Sequence, residues 1–114
     1  MATTLSNFTI ETQLASAEDT LISSGTSEKK FIGSILLFNT SISAVEVTMW
    51  LILAENSGTT GSGGNQSFVK TVPAGTSLRV TEFAGQVVDN SMKLSGQADT
   101  ASVINVRISG TTET

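Results

Sequence analysis

Val45-Glu46-Val47-Thr48-Met49-Trp50-Leu51-Ile52-Leu53 decides the fold class. Apolar residues hold every odd position from Val45 to Leu53, with Glu46 and Thr48 between them, so one face of an extended segment carries an apolar row. The period is two, not 3.6. Outward from this stretch the pattern repeats: Ile104, Val106 and Ile108 alternate with Asn105 and Arg107, and Phe8, Ile10 and Leu14 share a parity near the start. Shorter strand candidates are Thr20–Ser23, Phe31–Phe38, Ser67–Val72, Ser77–Phe83, Gln86–Val88 and Met92–Ala98. Each is bounded by Gly, Asn, Asp, Ser or Pro, which turn the chain or bond their own backbone. Pro73 falls between two candidates, where its missing N–H costs no ladder bond. No segment carries a helical stripe. Short strands at this spacing predict an all-β fold, a single antiparallel β-sandwich of jelly-roll or Greek-key type with about eight strands.

Composition bounds the chemistry. The 114 residues fit one domain, 1–114, with an extended N-terminal segment over about 1–7 and a short polar tail over about 110–114. Both ends have little apolar content and are expected to be free in isolation and to serve as arms in an assembly. Charged residues are 14%, while Ser and Thr fill 33 positions, so the surface is mostly neutral hydroxyl. With no Cys there is no thiolate nucleophile or disulfide, and with no His there is no Ser-His-Asp triad or ordinary zinc site. The ten acids are dispersed, without the clustered run that calcium requires. No catalytic residue, cofactor or metal is expected. A net charge of −4 argues against a nucleic-acid partner. The most apolar stretch, Ile35–Ala54, is interrupted by Asn39, Ser41, Glu46 and Thr48, which argues against a membrane partner. The first residues lack the basic start and apolar run of a secretory signal, so synthesis in a cytoplasm is expected.

The run Asn56-Ser57-Gly58-Thr59-Thr60-Gly61-Ser62-Gly63-Gly64-Asn65-Gln66 breaks the rhythm and reads as a long hairpin tip. Its glycines are not followed by the Lys-Ser or Lys-Thr of a phosphate loop. Asn56, Asn65 and Gln66 are therefore candidates for a contact loop, not for nucleotide binding.

Four stretches in order carry a family resemblance. Leu21-Ile22-Ser23-Ser24-Gly25-Thr26-Ser27-Glu28-Lys29-Lys30-Phe31-Ile32 stands as strand, turn, strand; Leu37-Phe38-Asn39-Thr40-Ser41-Ile42-Ser43-Ala44-Val45-Glu46-Val47-Thr48-Met49-Trp50-Leu51 has an Asn-Thr-Ser link into a long Val-x-Val-Thr strand. Val72-Pro73-Ala74-Gly75-Thr76-Ser77-Leu78 holds a Pro-Ala-Gly turn, and Ser91–Gly110 a closing hairpin. In this order the motifs resemble small β-sandwich structural proteins of tailed bacteriophage virions, over about four fifths of the chain. Ser23-Ser24-Gly25 departs from the family's first Pro-Ala-Gly turn, and Glu28-Lys29-Lys30 is more charged than usual. The resemblance implies a non-enzymatic virion component made in the host cytoplasm. The favoured form is a capsid decoration or cement protein that docks as a homo-oligomer, a trimer by the usual symmetry of such sites, on the major capsid protein outside the shell. The alternative is a tail, fibre or baseplate module that contacts tail proteins, a receptor or a glycan.

An interface module needs apolar side chains on a face its own core does not use. In Val45–Leu53 the odd row takes the core, so Trp50 and Ile52 fall on the other face. Either a partner covers Trp50 or another part of the chain does. Ile35-Leu36-Leu37-Phe38 is apolar on both parities, the pattern of a strand buried on both sides; either an internal crossover or a subunit interface covers it, and with no helix to form a second layer Leu36 and Phe38 join the interface candidates. Phe83, on the opposite parity from Leu78 and Val80, is read as core. A glycan site is the main rival, yet sugar faces stack on several aromatics and Trp50 stands without Tyr.

Overall fold

Val45, Val47, Met49 and Leu51 are all buried, while Glu46 is exposed and Thr48 and Trp50 are half-buried. The computed structural model of the chain describes residues 3–24, 27–52, 66–89 and 92–114. Among the described residues nine strands form: β1 (Thr3–Gln13), β2 (Asp19–Ser23), β3 (Lys29–Asn39), β4 (Val45–Ile52), β5 (Gln66–Val72), β6 (Ser77–Val80), β7 (Val87–Val88), β8 (Lys93–Ala98) and β9 (Ile104–Glu113). Leu53 lies outside the described residues.

The pairing follows one rule. β1 pairs β9, β2 pairs β8, β3 pairs β6 and β7, and β4 pairs β5, all antiparallel. The chain is thus one long hairpin, its first arm running from β1 to β4 and its second from β5 to β9. Rolling that ribbon brings β9 beside β3 and β8 beside β4. The result is two sheets, β1-β9-β3-β6 with β7 also on β3 (sheet A) and β2-β8-β4-β5 (sheet B). This is a jelly-roll β-sandwich, with the two-residue β7 added to its eight strands.

Facing rows fill the space between the sheets. Ile35, Leu37, Ile104, Val106 and Ile108 of sheet A meet Val47, Met49, Leu51, Val72 and Leu94 of sheet B, each no more than 1% exposed. Phe83 is buried as the sequence suggests, its ring centroid 5.3 Å from that of Phe68. The strand expected over Ser77–Phe83 ends at Val80 because the turn over residues 82–85 carries Phe83 into the core, with Gly85 at φ 83° donating its N–H to the Ile32 carbonyl at 2.7 Å.

The chain ends differ from the sequence-based expectation of free arms. Thr3–Asn7 pairs residue by residue with Ser109–Glu113, and β9 pairs in turn with β3. Backbone hydrogen bonds hold both ends, although their side chains bury little apolar area.

Lys70 shows how one edge is managed. It lies opposite Val47, on the core-facing row of edge strand β5, and its ammonium reaches Glu82 at 2.8 Å across the sandwich rim. An inward-directed charge on an edge strand opposes pairing with another chain. The hydrogen bond from Lys70 holds the Glu82 carboxyl below the usual glutamate range. A lowered folded-state value stabilises above the unfolded value and fades as pH falls through the folded one. Glu82→Gln should therefore lower Tm slightly at neutral pH and low salt, with the difference from wild type vanishing in acid and at high salt. A difference that persists in acid would show that the ion pair is not its source.

Candidate functional site

A bulge in β3 creates the candidate site. Ile32 lies opposite Gly110 and Ser34 opposite Ser109, which leaves Gly33 as an extra residue. The alternation changes parity there: Ile32 is buried before the bulge, and Ile35 and Leu37 after it. Residues on the other parity therefore line the outer face of sheet A.

Cross-strand partners share a face, so the register assembles that surface in rows. Leu5, Thr111, Phe31 and Val87 form the first row; Asn7, Ser109 and Ser34 form the second. The third is Arg107, Leu36 and Arg79, and the fourth Asn105, Phe38 and Ser77. Five apolar side chains thus face outward, with Leu5 86% and Phe38 38% exposed and Leu36, Phe31 and Val87 half-buried. None of the five belongs to the core cluster.

Both arginines of the chain flank Leu36 on this face. Their backbones stand two strand spacings apart, about 9–10 Å. Both side chains are exposed, and neither forms an ion pair among the described residues. A hollow of about 300 Å³ lies on the Arg107 side of Leu36, lined by Leu36, Phe38, Ser77, Asn105, Val106 and Arg107. A second hollow, of about 480 Å³, lies over the bulge, where Gly33 and Gly110 bring no side chains and Leu5 forms a wall. Fixed cations around a half-open apolar strip suit a partner that presents carboxylates around apolar groups.

The sequence-selected residues divide. Leu36 and Phe38 are on the outer face together, but the strand expected to be covered on both sides is covered on one, because the second sheet packs only against the side of Ile35 and Leu37. Trp50 is half-buried on the outer face of sheet B, opposite Ser67 and Ser95, with Val69 57% exposed on the adjoining row. Ile52 is corrected: it is fully buried, although it lies outside the core cluster, and so does not lie open beside Trp50. Ser95 beside them is also buried, its Oγ donating to the Glu18 carboxylate at 2.7 Å. Asn56 and Asn65 lie outside the described residues, and Gln66 opens β5.

Arg79, Arg107, Phe31, Val87 and Leu5 were not singled out by the sequence. The alternation of Asn105 and Arg107 with Ile104, Val106 and Ile108 already turns Arg107 outward. Its meeting with Arg79 across Leu36 requires the pairing of β6 and β9 with β3, which no local pattern encodes. Among the described residues, no three His, Cys, Asp or Glu side chains cluster as metal ligands would. Compared with known proteins, the chain matches no family model, no curated protein and no solved structure.

Proposed function

We propose that this chain is a non-enzymatic structural protein of a tailed-phage virion, a decoration protein that docks as a homo-oligomer on the outside of the capsid and reinforces contacts between shell subunits. The outer face of sheet A is the docking face. One observation carries the choice of face: both arginines, without ion-pair partners among the described residues, flank Leu36 on an outward apolar strip of a chain whose net charge is −4. Long-range charge would repel this chain from an acidic shell, so the local cations select where and how it lands. Apolar contact through Leu36 and Phe38 then supplies the affinity. The virion setting rests on the family resemblance of the turn and strand motifs.

Two measurements test the reading. In washed particles of the phage that encodes it, the chain should be present at a copy number comparable to the major capsid protein. A small handful per particle would move it to the tail, fibre or baseplate, and absence would remove the virion setting. Arg79→Glu combined with Arg107→Glu should leave Tm and circular dichroism near wild type, because both side chains are exposed, and should reduce particle binding by at least tenfold. Unchanged binding by the folded double variant would overturn the assignment of this face.

A further inference from the structure

We propose that β1 is a self-pairing edge, through which two copies of the chain join sheet A to sheet A about a two-fold axis at Leu5. β1 ends sheet A, and among the described residues no strand pairs with its outer edge. An edge strand presents a row of backbone N–H and C=O groups that another strand can satisfy, and proteins that stay apart blunt such edges with Lys, Pro, inward charge or shortness. The other edges show these devices. β5 carries the inward Lys70, β2 carries Asp19 and spans five residues, and β6 and β7 are four and two residues long. β1 spans 11 residues, contains neither Lys nor Pro, and bears one charge, Glu11.

The register of β1 sets the occupant and the axis. Register shifts occur between Asn7 and Thr9 and between Thr9 and Thr12, so the regular part is Thr3–Asn7. Bulges disfavour further pairing beyond it. A two-fold operation sets the residue on the axis against its own copy and pairs the residues on either side of it reciprocally, so a stretch that pairs with itself must be free of like charges that would oppose one another. Thr3-Thr4-Leu5-Ser6-Asn7 is uncharged and meets that condition. Antiparallel pairing that uses all five residues puts Thr3 against Asn7 of the second copy and Leu5 against Leu5. Leu5, 86% exposed in the single chain, gains an apolar neighbour. Charge also selects this end, since the arginine row lies farther along the face and stays clear of the axis. An antiparallel two-fold is perpendicular to the sheet, so both arginine strips face the same way and can meet one partner surface together.

The absence of Cys in the chain permits a direct test. Opposed residues of an antiparallel pair have Cα atoms about 4.5–5.5 Å apart, within the separation a disulfide spans. Under mild oxidation Leu5→Cys should convert almost wholly to a covalent dimer. Ile42→Cys, in a loop and 98% exposed, should convert at least tenfold more slowly. In sedimentation at high micromolar concentration, the wild-type chain should be a dimer and Leu5→Lys a folded monomer. A monomeric or trimeric wild type would overturn the proposal, as would equal cross-linking of the two thiols or a dimer that Leu5→Lys leaves intact. These assays use the isolated chain, so their failure leaves the docking reading standing, and loss of particle binding leaves the dimer standing.

Discussion

Gly110→Ala is expected to destabilise the chain by about 3 kcal/mol or more, at the upper end of overpacking substitutions. Gly110 faces the β3 bulge, and a Cβ built there overlaps the carbonyl oxygen of Phe31 and stands 2.9 Å from the amide nitrogen of Gly33. Both are backbone atoms. Phe31 is tied to Thr111 of β9 on one side and Val87 of β7 on the other, so the strand cannot shift without opening a ladder. Gly33→Ala is the matched control, because its Cβ would meet the Ser109 carbonyl oxygen at 3.3 Å, a contact relieved by a few tenths of an ångström. Thermal unfolding should show Tm lowered by on the order of 10 °C in Gly110→Ala. The fall in Gly33→Ala should be much smaller. Equal melting of both variants would mean that the strands at the bulge can separate freely.

The second large effect is expected at Asn39, where one buried amide ties the two sheets together. Its Nδ2 donates to the carbonyls of Ser43 at 2.8 Å and Val72 at 2.9 Å. Its Oδ1 accepts from the Ser41 N–H at 2.9 Å and the Ser41 hydroxyl at 2.7 Å. The side chain therefore closes the link after β3 and pins the end of β5 in the opposite sheet. Asn39→Ala leaves these groups without their partner and should cost roughly 2–4 kcal/mol, read from urea unfolding at unchanged slope. Asn39→Asp tests the donor side. An acceptor-only carboxylate would face the Ser43 and Val72 carbonyls, so the folded state would favour its protonated form and raise its pKa. The loss in Asn39→Asp should then be smallest in acid and grow as pH rises above the ordinary aspartate range. A loss independent of pH would show that the carbonyls turn away.

The strand core was legible because alternation is local. Val45, Val47, Met49 and Leu51 share a face by geometry alone, and Ile104, Val106 and Ile108 follow the same rule. Leu36 and Phe38 could be selected as apolar residues in excess of one row, and they do line an open face. Ile52 could not be placed, because parity gives a face and not what covers it. The outward turn of Phe31 was hidden by the bulge at Gly33, which breaks the parity on which reading β3 depends.

Fold class and chemical limits belong to the sequence by itself. Period-two apolar rows between turn residues determine an all-β sandwich, and the absence of Cys and His removes chemistries that require thiolate or imidazole. Tertiary structure alone decided which strands are neighbours. Thr3 lies beside Glu113, and Arg79 and Arg107 reach the two sides of one leucine, only because the ribbon rolls. A strand's alternation depends on its own residues, whereas its partner is set by the total burial and hydrogen bonding of the closed sandwich. The cationic face and the open β1 edge exist only at that level.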